Sequence, residues 1–372
     1  MGDDRLPLLW LCGPSGVGKS TVGWEVLAQL SGEGVTTAFL DADQIGLCHP
    51  LPEDAVHRLR ARNLAALWRN FRQEGMRALV LAGFVDTEEE VRAYAGLLPD
   101  AAFTVCRLRV GTAELRRRFL ARGWRPDLVE GAVAEAEGLD RSGFAGVCVD
   151  TGGLTVAQAA RLVRQRTTGE PGVVPAGPRD LTSPAPAGPG PVLWVSGATA
   201  AGKSTVGYEL FRQVCQSGVR AAYADVKQIA ALRPAAGDGA LKMRNLAAVW
   251  AGYRAEGARC LIVSGEADSD DTVRAYAELL PGAAPAVCRL HAGPAALAER
   301  VAARGRGGGP AIPGDELRGL GAADLDRVTE RAVREAEALD RAGAGRWRVG
   351  TDGRSVEEIV AEIRERIGDW PG

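Results

Sequence analysis

Short, continuous apolar runs alternate along the chain with longer stretches of helical periodicity. In the first half the runs fall at 7–12, 35–41, 77–83, 103–110 and 146–150. Between and after them, apolar residues recur at helical spacing over 19–31, 54–75, 87–98, 112–122, 127–141 and 154–166. Runs that are apolar at every position, not at alternate ones, are expected of strands buried on both faces of a parallel sheet. Five such strands joined by helical crossovers predict an α/β domain of three α/β/α layers. Ligands of open parallel sheets sit beyond the carboxyl ends of the strands. The residues that follow each run are therefore the informative ones.

The same pattern occurs twice. RNLAALW (62–68) matches RNLAAVW (244–250), and VRAYAGLLP (91–99) matches VRAYAELLP (273–281), both at an offset of 182. EAEGLDRSG (135–143) matches EAEALDRAG (335–343) at an offset of 200, a slip of 18 residues. The slip predicts an insertion in the second copy, placed at 304–321. A period this long excludes a solenoid. It predicts two tandem three-layer α/β/α domains, each with a five-stranded, mainly parallel sheet, at 1–166 and 191–372. The segment 167–190 is rich in Pro, Gly and Ala and has no hydrophobic periodicity, so it reads as a linker.

The first strand of each copy runs into the same loop. GPSGVGKST (13–21) and GATAAGKST (197–205) both fit G-x-x-x-x-G-K-[ST], between an apolar run and a helix. That context makes the match a P-loop. Its glycines turn backbone N–H groups toward a polyphosphate at a helix N-terminus. Gly13, Ser15, Gly16, Gly18, Lys19, Ser20 and Thr21 are thus expected to hold ATP in the first copy. Gly197, Thr199, Gly202, Lys203, Ser204 and Thr205 are expected to do so in the second. Lys19 and Lys203 reach the β- and γ-phosphates in such loops, and the hydroxyls of Ser20 and Ser204 hold Mg²⁺.

Other strand ends add candidate chemistry. Asp41 and Asp43 follow the second strand of copy 1, where a carboxylate can orient Mg²⁺ or receive a proton from an acceptor hydroxyl. Copy 2 keeps the first as Asp225 but has Lys227 for the second. Gly83 and Gly265 end the third strand, either to admit a ligand or simply to turn. Arg62 and Arg244 lie on the following helical stretch and are candidates for binding an anionic or polar acceptor. After the fourth strand, Arg118 and Arg122 match Arg300 and Arg304. Arginines four apart share a helix face and could close over transferring phosphate as a lid. With Lys227 in place of Asp43 and a longer lid region, copy 2 is expected to be the less active.

Composition narrows the classes. The chain has 372 residues and a net charge of −2, which gives no bulk attraction to nucleic acid or membranes. Its acidic N-terminus is unlike a secretory signal, and no apolar run is long enough to span a bilayer. Seven scattered cysteines without a C-x-x-C read as buried, reduced thiols of a cytoplasmic protein. Nothing in the sequence sets an oligomeric state.

These residues together resemble the P-loop small-molecule kinases: adenylylsulfate kinase, shikimate kinase, gluconate kinase and chloramphenicol phosphotransferase. The resemblance rests on GPSGVGKST, the L-D-x-D at Leu40, Asp41 and Asp43, the R-x-x-x-R-G at Arg118 and Arg122, and the V-D-T at 149–151. It implies an ATP- and Mg²⁺-dependent kinase of a small hydroxyl-bearing metabolite or antibiotic. It places Asp41 by the metal and Asp43 at the acceptor. The triple-glycine loop of shikimate kinase is absent, and D-A-D-Q stands where adenylylsulfate kinase has D-G-D-N, so no one substrate carries over. The other class in view is a nucleotide-binding regulatory or scaffold protein with weak ATPase activity.

Overall fold

In a computed structural model the protein is described at residues 5–121, 125–169, 190–234, 239–267, 269–280, 285–309, 314–343 and 345–371. Most of the linker assigned at 167–190, and Arg122, lie outside these residues. The strands are β1 Leu6–Cys12, β2 Thr37–Asp41, β3 Cys48–His49, β4 Ala78–Ala82, β5 Ala101–Arg109, β6 Val147–Asp150, β7 Val192–Gly197, β8 Ala221–Asp225, β9 Ala231–Arg233, β10 Cys260–Ser264, β11 Ala286–His291 and β12 Trp347–Gly350. The helices of the first copy are α1 Lys19–Gly32, α2 Glu53–Gln73, α3 Glu88–Ala95, α4 Thr112–Leu120, α5 Val129–Ser142 and α6 Val156–Thr167. Those of the second are α7 Lys203–Gln216, α8 Ala240–Ala255, α9 Asp270–Leu279, α10 Pro294–Gly305, α11 Ala322–Ala342 and α12 Val356–Ile367.

Each unit holds the five parallel strands expected from the apolar runs. In the first the order is β6-β5-β1-β4-β2, and in the second β12-β11-β7-β10-β8. β1 sits between β4 and β5 with Leu8 opposite both Leu79 and Phe103, and is buried because helices cover both faces. The core of the first unit gathers Leu11, Val26, Leu27, Phe39, Val80 and Leu108; that of the second gathers Leu193, Val195, Leu210, Phe211, Ile262 and Leu290.

Both sheets also carry a sixth, antiparallel strand that the periodicity does not announce. β9 pairs with β2, Leu232 lying opposite Ala38, and β3 pairs with β8, Cys48 lying opposite Ala222. The compact units accordingly comprise Met1–Gly46, Arg60–Thr182 and Ala230–Leu241 in one, and Leu47–Leu59, Ser183–Ile229 and Lys242–Gly372 in the other. Two short segments therefore cross the simple division at the linker. Each edge strand comes from the opposite repeat. Within the first unit Arg233 stacks over the Trp24 ring at 5.0 Å, a cation–π contact. Within the second, Arg220 donates to the Pro50 carbonyl at 3.0 Å. Pro50 and Pro234 follow these strands directly, as suits a residue without an N–H at the end of an edge strand.

The cysteines are unpaired; Cys148 is exposed and Cys215 half-buried, unlike the buried set expected from sequence. None of the described helices is long and apolar enough to cross a membrane.

Candidate active site

The P-loops sit where β1 and β7 end. Gly13 and Gly197 hold φ of 137° and 147°, and a Cβ there would meet the carbonyl oxygens of Leu108 and Leu290 at 2.5 and 2.6 Å. Only glycine fits such positions. Gly18 and Gly202 cap α1 and α7 in the left-handed region, so each helix begins on its P-loop lysine. The Lys19 ammonium donates to the carbonyls of Gly13 and Pro14 at 2.9 and 3.1 Å. Lys203 repeats this on Gly197 and Ala198 at 2.8 and 2.9 Å. Burial pulls the Lys203 pKa down, opposed by the charges of Glu266, Glu335 and Asp225.

A hydroxyl–carboxylate pair forms at the mouth of each sheet. Ser20 Oγ donates to Asp41 Oδ2 at 2.6 Å, and Ser204 Oγ to Asp225 Oδ2 at 2.6 Å. The second oxygen of each aspartate accepts a backbone N–H two residues on, from Asp43 and Lys227, at 3.0 Å. These bonds fix the carboxylate beside the P-loop serine, which is the donor set a Mg²⁺–nucleotide requires. Among the described residues no group of three or more His, Cys, Asp or Glu side chains could hold a metal. Any Mg²⁺ would then depend on the serine, the aspartate and the phosphates themselves.

Burial raises the Asp41 carboxyl to about 6, the Asp43 charge adds to the rise, and the Ser20 hydrogen bond opposes it. A raised carboxyl favours the protonated fold, so its contribution to stability is present at low pH and falls as pH rises toward 6. Metal binding has the opposite sign, because only the ionised form is a ligand. Mg²⁺-dependent nucleotide affinity in the first unit should fall as pH drops below about 6. Titrating nucleotide with and without Mg²⁺ from pH 5 to 8 in the full chain and in Asp41→Asn checks this, the first unit's share being the part that Asp41→Asn removes. A Mg²⁺ dependence that Asp41→Asn leaves intact at pH 7 counts against Asp41 as a ligand.

A second carboxylate reaches each loop that no motif pointed to. Ser15 N–H donates to Glu135 Oε2 at 3.0 Å, and Thr199 N–H to Glu335 Oε2 at 2.8 Å. The glutamates are equivalent members of the EAE repeats on α5 and α11. Their repetition at an offset of 200 was the only trace in sequence.

The lid arginines are placed differently from the expectation. Arg118 donates to the Val17 carbonyl at 3.2 Å and to the Thr151 carbonyl at 3.1 Å. Arg300 does the same to Ala201 at 3.3 Å and Thr351 at 2.8 Å. Both thus brace the P-loop against the loop after the last strand. Arg304 pairs with Asp315 at 2.7 Å, a carboxylate supplied by the insertion. The described part of that insertion is folded, with Leu317 buried.

On the acceptor side, Arg60 meets the second-strand loop: its Nη2 lies 2.6 Å from Asp43 Oδ1. In the second unit a cleft of about 680 Å³ is lined by Lys203, Ser204, Asp225, Lys227, Lys242 and Glu266 among others, with Lys242 in place of Arg244. Arg62 and Arg244 are half-buried on α2 and α8. Their neighbours Asn63 and Asn245 are buried and donate to the Ile45 and Ile229 carbonyls at 2.7 Å, which ties each helix to that loop. Gly83 and Gly265 admit protein, not ligand: a Cβ would meet the Ala42 side chain at 2.6 Å or that of Val226 at 2.9 Å.

Residues 6–116 match the family model of adenylylsulphate kinase. Over that stretch the chain is similar to the adenylylsulphate kinase family. No curated protein sequence matches the chain. Among solved structures it is similar to a gluconokinase from Sinorhizobium meliloti 1021, at 19% identity over 43% of this chain and 90% of that one, with a TM-score of 0.32. The tunicamycin resistance protein of Deinococcus radiodurans is 18% identical over 45% and 99%, with a TM-score of 0.35. The Mycobacterium tuberculosis APS kinase CysC, in complex with AMPPNP and APS, is 19% identical over 43% and 96%, with a TM-score of 0.31. Likenesses this distant say nothing about the substrate.

Proposed function

We propose that the chain is an ATP-dependent kinase that phosphorylates a hydroxyl of a small metabolite or antibiotic. The observation that carries this is the serine–aspartate pair beside the P-loop lysine, formed with the same 2.6 Å bond in both units. The loop amides and Lys19 or Lys203 bind the β- and γ-phosphates. Ser20 with Asp41, and Ser204 with Asp225, hold Mg²⁺, which neutralises phosphate charge when bound. In the first unit Asp43, oriented by Arg60, receives the proton of the acceptor hydroxyl as that oxygen attacks the γ-phosphorus. Catalysis of this kind is mostly positioning and electrostatics, and it needs no covalent intermediate on the protein.

The test uses the full chain, labelled ATP and Mg²⁺, with and without pools of hydroxylated metabolites. A kinase should transfer label to at least one pool fraction, well above its turnover with water alone. Turnover that no pool changes points instead to the regulatory ATPase class.

A further inference from the structure

The two units differ at the acceptor side in which strand end carries the carboxylate. At the end of the second strand, Asp43 of the first unit is matched by Lys227 of the second. At the end of the next strand inward, Phe84 of the first unit is matched by Glu266 of the second. The carboxylate lost from one strand end thus reappears at its neighbour. The cation on the helix between those strands keeps a carboxylate partner throughout. Arg60 meets Asp43 at 2.6 Å, and its counterpart Lys242 meets Glu266 at 3.2 Å. Lys227 itself is turned to Glu316 of the insertion, at 3.6 Å.

We propose that Glu266 is the catalytic acceptor-facing carboxylate of the second unit, doing there what Asp43 does in the first. Glu266 lines the same cleft as Lys203, Ser204 and Asp225, so it faces the ground where phosphate and acceptor meet. Its carboxylate is half in solvent, with 65% of the side chain exposed, and a substrate hydroxyl can reach it. Among the charges acting on the buried P-loop lysine, that of Glu266 is the largest. Burial pushes the Glu266 carboxyl up, but Lys242, with Lys203 and Lys227 behind it, outweighs this and holds it below the ordinary value. Glu266 is thus ionised and able to accept a proton at neutral pH.

The step balances without a further reactant. The acceptor oxygen forms a bond to the γ-phosphorus, the bond from that phosphorus to the β-bridging oxygen breaks, and ADP leaves with the electron pair. The hydroxyl proton passes to Glu266. The second unit is then a working kinase site with its base moved by one strand, and not a degenerate copy. Because the carboxylate has moved by one strand and a lysine stands in its former place, its acceptor is oriented differently from that of the first unit.

This inference rests on the kinase reading above, and the test separates the two. In a full chain carrying Lys19→Ala to silence the first unit, Glu266→Gln is compared with its parent. The probes are Mg²⁺ with labelled ATP and a mixture of D-gluconate, shikimate, adenylylsulphate and chloramphenicol, with water alone as the reference acceptor. Loss of a general base predicts a fall in transfer of about 10²-fold, with the Mg²⁺–ATP dissociation constant kept within about threefold. Adding Lys227→Asp to Glu266→Gln, which restores the first unit's arrangement, should recover part of the rate; a purely structural role would not give that rescue. The proposal is overturned if Glu266→Gln turns over like its parent, or if it loses nucleotide binding along with transfer. It is equally overturned if Lys19→Ala alone ends all transfer. A wild-type chain that transfers nothing removes the kinase reading itself.

Discussion

Lys19→Ala and Lys203→Ala should each remove nearly all phosphoryl transfer from their own unit, and the double variant should remove it from the chain. Each ammonium is held by two loop carbonyls, at 2.9 and 3.1 Å for Lys19 and 2.8 and 2.9 Å for Lys203, and so is fixed over the loop before phosphate arrives. Charge develops on the transferring phosphoryl group, and losing one preorganised donor to such charge costs about 10²–10³-fold in rate. Nucleotide affinity should suffer less, since the loop amides remain. By contrast, Asp43→Ala should leave ATP binding intact while lowering transfer in the first unit, because Asp43 is paired to Arg60 and not to the loop. Steady-state transfer and nucleotide titration on the same preparations give both numbers. Appreciable transfer by the Lys19→Ala/Lys203→Ala double variant would place the chemistry outside the P-loops. A loss of ATP affinity in folded Asp43→Ala would move Asp43 into the nucleotide site.

Much of this site can be read from sequence because its parts are local. A loop that must begin with glycine, turn its amides inward and end on a lysine writes its requirements into nine consecutive residues. The ends of β2 and β8 are almost as legible, since an apolar run stopping at Asp41 or Asp225 fixes the carboxylate at the sheet mouth. What escapes is whatever depends on helix phase or on distant pairing. Arg60 and Arg62 are two residues apart, roughly 200° around a helix, so both cannot face the acceptor, and nothing in a basic stretch says which does. Buried Asn63 anchors the helix to Ile45, and Arg60 meets Asp43. Glu135 and Glu335 reach the loop only because α5 and α11 pack beside it, a contact across 120 and 136 residues. Glu266 was hidden for another reason. Aligning the repeats position by position shows Asp43 as lost, and the compensation lies on a different strand.

The sixth strands were the least legible feature, and they carry the other large expected effect. Severing the chain in the linker, to give 1–166 and 190–372, should leave neither half stable alone. The cut strips β9 from β2 and β3 from β8, because each of these edge strands lies in the other half of the sequence. Two or three residues make too short a run to show a period, and their partners are about 170–200 residues away, so neither pattern nor proximity announces them. Thr37–Leu40 of β2 and all of β8 are buried in the intact protein. A severed half would expose these apolar strands with unpaired N–H and C=O groups, the arrangement that templates aggregation. With about 1 kcal/mol for each lost ladder bond, the direct loss is on the order of 2–3 kcal/mol per half, before any apolar exposure is counted. Each half alone should therefore melt well below the intact chain or associate. Mixing the two should restore a one-to-one complex, since each half brings the strand the other lacks. Light scattering after size exclusion, with thermal melts of each half and of the mixture, reads this directly. Two monomeric halves that melt like the intact chain and ignore each other would show that the exchanged strands do not hold the sheets together.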